Sequence, residues 1–174
     1  PTREGDAGRE TEIVFVAIPV HCLHGHPACS EHKSGEKTAP RQFLPMRLGG
    51  NHRIRRLRSD GTIETLVGTG ETDFNGDGLT GTSSNIGEPT GVAVDPEGNV
   101  YVADQVNNRI RVLTSDGLLH TCAGTGEHGN AGDGGDARQA LISTPDILAS
   151  DSEGNLYFPD YGNHRVRKLV RLPD

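Results

Sequence analysis

Cys22, His24, His26, Cys29 and His32 fall within one short run, His21-Cys22-Leu23-His24-Gly25-His26-Pro27-Ala28-Cys29-Ser30-Glu31-His32. Imidazole nitrogens and thiolates are the donors that hold Zn²⁺ tetrahedrally. Six residues separate the cysteines and no second half-site follows, so the spacing matches no common zinc template and the metal stays undetermined. The competing reading is an unstructured or non-native tail. A second candidate, Asp73-Phe74-Asn75-Gly76-Asp77-Gly78, fits the opening Asp-x-Asn-x-Asp-Gly of an EF-hand calcium loop. The loop's twelfth position needs a bidentate Glu and is Ser84, which favours a solvated Gly-rich linker.

Arginines recur in pairs, Arg53/Arg55, Arg109/Arg111 and Arg165/Arg167. As a basic row they would attract phosphate or acidic partners, RNA among them. The competing expectation is pairing between repeat units with Asp104, Asp160 or linker carboxylates. Asp95, Asp104, Asp151 and Asp160 recur where Asx-type side-chain bonds hold turns. No catalytic set emerges. There is no Gly-x-Ser-x-Gly elbow. The Gly-x-Gly strings lack a following Rossmann unit, and no cofactor is expected. His120, His128, Cys122 and the serines lie at unrelated places in the sequence.

What must position these residues is a repeat. Asn51, Asn107 and Asn163 stand 56 residues apart, each opening Asn-x-Arg-Ile/Val-Arg. Sliding residues 51–118 onto 107–174 gives about 29 identities in about 68 positions, which marks a duplicated unit rather than chance. Residues 91–94 read as a strand, closed by the turn Asp95-Pro96-Glu97-Gly98-Asn99. Residues 100–103 read as a buried second strand and 109–113 as a third, whose alternation puts Arg109 and Arg111 on one face and Ile110 on the other. Residues 118–123 make a fourth. Four antiparallel strands in meander order are one propeller blade. A Gly-rich link of about 20 residues follows, with a helical turn possible over 137–142, and it accounts for a period beyond the usual 40–45. The recurring Asp95, Gly98, Asn99, Tyr101, Asp104, Asn107, Arg109 and Arg111 match Asp151, Gly154, Asn155, Tyr157, Asp160, Asn163, Arg165 and Arg167, and are expected to be structural positions.

The expected division is a non-repeat segment over 1–47, disordered or a gene-model artefact, and a propeller portion over 48–174. The latter holds a partial blade at 52–67, a full blade at 91–123 and a partial blade at 146–170. The pattern begins abruptly in mid-unit near Gly50-Asn51, which points to a truncated gene model, a retained intron or a frameshift. Starting at Pro1, the chain reads as a fragment or a trimmed product. Residues 13–20 are apolar enough for a strand or a short helix. They are too short for a membrane span and follow Glu4, Asp6, Glu10 and Glu12, where a signal peptide needs positive charge. The three cysteines are too few for a disulfide framework and leave the compartment unspecified. The charge of −7 lies wholly in the repeat region, with 11 Lys/Arg against 18 Asp/Glu from residue 48 onward, which weighs against non-specific nucleic-acid binding.

The motif Gly-Val-Ala-Val-Asp-x-x-Gly-Asn-Val-Tyr-Val-Ala-Asp-x-x-Asn-x-Arg-Ile-Arg over residues 91–111 resembles the signature of the NHL-repeat family. The linker Ala-Gly-Thr-Gly…Gly-Asp-Gly-Gly…Ala…Leu…Pro is similar to the long-period variety of bacterial multi-repeat proteins and of the teneurin propeller. The resemblance covers about residues 50–170. It implies an all-β fold of four-stranded antiparallel blades, here an incomplete propeller, and a six-bladed ring in the complete protein. It also implies a non-enzymatic binding or scaffold module presenting loop surfaces to a protein or other ligand, with further blades as the natural neighbours. The alternatives are a lactonase-like hydrolase or lyase with a channel metal, and RNA binding through the arginine rows.

Overall fold

The computed structural model describes residues 51–58 and 60–171 in full, and the backbone of residues 13–18 and 43–44. Every regular element among them is a strand or a single 3₁₀ turn. In chain order the strands are β1 (Ile13–Ile18), β2 (Phe43–Leu44), β3 (Ile54–Leu57), β4 (Ile63–Val67), β5 (Leu79–Thr80), β6 (Pro89–Val94), β7 (Val100–Asp104), β8 (Arg109–Leu113), β9 (Leu118–Ala123), β10 (Ala149–Ser150), β11 (Leu156–Asp160) and β12 (Arg165–Arg171). No helix among the described residues is long and apolar enough to cross a membrane.

The strands form three sheets, one per blade: β2-β3-β4, then β5-β9-β8-β7-β6, then β1-β12-β11-β10. The middle blade is the antiparallel meander β6 to β9 that the alternating sequence predicts. Its hairpin turn is tied by Asp95, whose Oδ1 accepts from Asn99 N at 2.8 Å and whose Oδ2 accepts from Asn99 Nδ2 at 2.7 Å and Tyr101 Oη at 3.2 Å. Gly98 closes the turn at φ +89°, a conformation that costs glycine little. The third blade repeats the device with Asp151, Asn155 and Tyr157 at 2.9, 2.8 and 3.2 Å.

Two apolar layers hold the blades face to face. Ile54, Val67, Ile86, Val102 and Leu119 fill the first, between the first and middle blades. The second layer, between the middle and third blades, includes Tyr101, Ile110, Val112, Cys122, Ile142, Leu148, Phe158 and Leu169. Each face of the middle blade therefore serves a different layer, as a period of two requires.

Three features depart from the sequence expectation. The linker is no plain Gly-rich loop: β5 pairs with β9 and adds a fifth strand to the middle sheet, and a one-turn 3₁₀ helix forms at Gly81–Ser83, while the one at Ala137–Gln139 falls where the sequence allows a helical turn. The first strand of the third blade shortens to Ala149–Ser150, because Pro159 replaces Ala103 and brings no N–H to the ladder. Residues 13–18 form a strand, one of the two forms the sequence allows, but β1 lies unforeseen beside β12 in parallel, in the position β9 holds beside β8.

Candidate functional site

The polar side chains gather at the end of each blade where its second and third strands meet and the linker arrives. Alternation along β8 puts Arg109 and Arg111 on one face, both against the Phe74 ring, at 3.9 and 4.9 Å from its centroid. Ile110, on the other face, is fully buried. Arg111 is itself fully buried, donating from Nη2 to Gly76 O at 2.9 Å and Asp77 Oδ1 at 3.1 Å. Its Nη1 stands 3.5 Å from Asp104 Oδ2. Asp104 Oδ1 accepts from Gly87 N at 2.7 Å and Asn107 Nδ2 at 2.8 Å, and Asn107 also donates to Thr72 O. Burial pushes the Asp104 carboxyl up to about 6 against the opposing pull of the Gly87 N–H and the Arg111 charge.

The third blade rebuilds this cluster. Arg167 is fully buried and reaches Asp133 at 2.5 Å, Asp160 at 3.2 Å and the carbonyl of Leu141 at 2.7 Å. Asp160 Oδ1 accepts from Ser143 N at 2.7 Å, and Asn163 Nδ2 bridges Asp160 Oδ2 and Gly129 O. Arg165 stands 3.6 Å from Asp133.

The partners are those the sequence suggests, Asp104, Asp160 and linker carboxylates, but the pairing falls within a blade rather than between units, and Arg111 and Arg167 present no basic row. Each linker folds back on the blade that follows it, so Asp77 meets Arg111 and Asp133 meets Arg167 within one blade. Arg111 and Arg167 lie sealed beneath those linkers, out of reach of RNA phosphates. Asp104 and Asp160 likewise fasten the end of the linker rather than making a local Asx turn.

The calcium-like segment also binds inward. Asn75 Oδ1 accepts from Asn85 N and its Nδ2 donates to Ser83 O, while Asp77 Oδ1 accepts from Arg111 and Thr121. Cys22, His24, His26, Cys29 and His32 lie outside the described residues.

One juxtaposition was invisible in the sequence. His128 Nδ1 lies 3.0 Å from Ser143 Oγ, and its Nε2 lies 3.4 Å from Asn108 Nδ2. The Asn108 amide is oriented by a backbone donor, since its Oδ1 accepts from Thr144 N at 2.9 Å. Its Nδ2 donates to Gly126 O at 3.2 Å and also stands beside His128 Nε2. Together these side chains clasp the joint between the middle and third blades. His52 holds the same repeat position at the first joint, accepting from Glu88 N at 3.2 Å on Nδ1. His52, Asn108 and His164 all adopt positive φ, of 42, 50 and 54°.

Stacked antiparallel blades, the middle and third each clamped to a linker by a buried arginine, define a β-propeller module. Residues 87–113 match the NHL repeat family model, and the repeat region is similar to propellers of NHL type. Human teneurin-4 is 34% identical over 91 residues, covering 45% of this chain and 3% of that protein. Mouse teneurin-3 is 29% identical over 154 residues, covering 77% of this chain and 6% of that one. Among solved structures, an auxiliary nutrient binding protein from Bacteroides ovatus ATCC 8483 superposes with TM-score 0.57 at 29% identity, over 70% of this chain and 33% of that one. A structural genomics protein from Bacteroides thetaiotaomicron VPI-5482 gives TM-score 0.61 at 23% identity, over 68% and 30%, and shows the fold alone. The chain thus spans a small fraction of the teneurins and about a third of the solved propellers.

Proposed function

We propose that this chain is part of a non-enzymatic binding module whose loop end engages a protein or other ligand. The observation that carries the reading is a contrast at one end of the blades. The polar signature residues there are buried and bonded to linker backbone, whereas Val106, Ile147 and Tyr161 stand 49, 64 and 66% exposed. Val106 and Tyr161 sit in the equivalent β7–β8 and β11–β12 loops, and Ile147 precedes β10 at the same end. Exposed apolar side chains at the loop end of the blades are what loop-borne recognition uses. The similarity to a nutrient-binding propeller at 29% identity supports a binding role.

The test has two arms. Lactone, ester and phosphomonoester substrates offered to the protein are expected to give no turnover, and turnover abolished by Ser143→Ala would overturn the reading. Peptide and glycan arrays probed with the protein are expected to yield saturable binding that Val106→Asp and Tyr161→Asp weaken without lowering stability. Binding indifferent to both substitutions would place recognition elsewhere.

A further inference from the structure

The two joints within the chain define what each face of a blade needs. Toward the blade before it, the middle blade presents Val92, Val102, Leu113 and Leu119, and the third presents Leu148, Phe158 and Leu169 at matching repeat positions. Toward the blade after it, the middle blade presents Ala93, Tyr101, Ile110 and Val112, all buried.

Each kind of face recurs at one end of the stack, and there it stays in solvent. Leu57 and Ile63 stand one period before Leu113 and Leu119 and are paired across their strands in the same way. Leu119 is fully buried, whereas Leu57 and Ile63 are 36 and 59% exposed. At the other end Ala149, Tyr157 and Val166 stand one period after Ala93, Tyr101 and Ile110. Ala149 is exposed and the other two are half-buried, where their counterparts in the middle blade are buried. Lys168 there replaces Val112, but Arg56 holds the same repeat position in the first blade, which packs on the middle one, so a cation here is compatible with a joint. The two end faces are complementary, because the same pattern builds the two sides of each internal joint.

We infer that a second copy of this chain covers both faces. The first blade of each copy packs on the third blade of the other, at two equivalent joints about a twofold axis. The number of copies follows from the blades. Each chain brings three sheets, propellers close with about 4–8 blades, and six, two copies, is the only multiple of three in that range. Charge supports the same register. Glu97, in the turn between β6 and β7, pairs with Arg171 of the third blade at 2.5 Å. In the joint between copies the exposed Glu153 takes the place of Glu97 and comes to the end of the other copy's β3, where Arg58 adjoins the repeat position of Arg171. This assembly uses blade faces rather than the loop end that bears Val106 and Tyr161, so it can fail while the binding reading holds, and the reverse.

Sedimentation velocity of the intact chain, repeated over a range of concentrations, is expected to show monomer giving way to dimer and to nothing larger. Ile63→Glu on one face and Ala149→Glu on the other are each expected to raise the dimer dissociation constant about a hundredfold, about tenfold at each of two joints. Both side chains are exposed, so circular dichroism should show each variant folded like the wild type. An equimolar mixture of the two variants keeps one native joint per heterodimer, between the Ala149 face of one chain and the Ile63 face of the other. That mixture is expected to recover dimer that neither variant forms alone. Val106→Asp and Tyr161→Asp are expected to leave the dimer intact. A chain that stays monomeric, or polymers that lengthen without limit, would overturn the inference. So would a dimer indifferent to Ala149→Glu, a mixture that recovers nothing, or a dimer lost with Val106→Asp.

Discussion

Arg111→Met tests whether the buried arginine is what clamps a linker to its blade. Methionine keeps an unbranched stem of similar length and removes the charge and every donor. Lost with it are the bonds to Gly76 O at 2.9 Å and Asp77 Oδ1 at 3.1 Å, and the charge 3.5 Å from Asp104 Oδ2. The Asp77 arm matters least, because that carboxylate is 42% exposed and screened by water. The Asp104 arm dominates: the side chain is fully buried, and its carboxyl is already pushed up to about 6 by burial. Breaking a buried pair from one side typically costs about 3–5 kcal/mol, and the 3.5 Å separation argues for about 3. In a chain of this size that lowers the melting temperature by roughly 6–12 °C. Adding Asp104→Asn should restore much of the loss, since the amide oxygen still accepts from Gly87 N–H while no buried carboxylate remains. Urea unfolding followed by far-ultraviolet circular dichroism, taken round the double-mutant cycle, is expected to give a coupling of at least about 1.5 kcal/mol. A loss below about 1 kcal/mol for Arg111→Met, or simple additivity, would refute the clamp.

Four further outcomes follow from the same contacts. The folded-state value of about 6 for Asp104 lies above the ordinary value of about 3.9, so the folded chain holds the extra proton between those limits. Its contribution to stability therefore falls as pH rises from about 4 to about 6, by at most about 3 kcal/mol, and a pH series of unfolding curves should show Asp104→Asn flattening that slope. Gly91→Ala would set a Cβ 2.6 Å from Leu148 N and 2.7 Å from Ile147 Cα, both backbone. It is expected to cost about 3 kcal/mol in urea unfolding, against about 1–2 for Gly98→Ala, which meets only the penalty of positive φ. Asn108→Ala strips the partner from Thr144 N and should cost about 2 kcal/mol with faster exchange of that amide, whereas Asn108→His, copying His52, should cost less than half as much. Calcium added to the chain should leave its melting temperature unchanged, because Asn75 and Asp77 already bind backbone and Arg111.

The blades were legible in the sequence because their signals are local. Asp95, Gly98, Asn99 and Tyr101 build a turn from within seven residues, and strict alternation assigns Arg109, Ile110 and Arg111 to their faces. Pairing across longer separations was not legible. The linker's side chains find their partners 34 and 44 residues away, at Arg111 and Thr121, and which blade it joins depends on β5 adding to β9, a two-residue pairing with no pattern of its own. The joint of His128, Ser143 and Asn108 spans 15 and 20 residues and draws on side chains common in any loop. A repeat magnifies the first kind of signal and hides the second, since what recurs is what each unit needs to fold. The residues that single out one propeller from another are the departures: Pro159 for Ala103, Ile147 for Gly91, and Arg55 with Leu48 where an aspartate would answer it. A ligand for this chain is better sought where the repeat breaks its own pattern than where it keeps it.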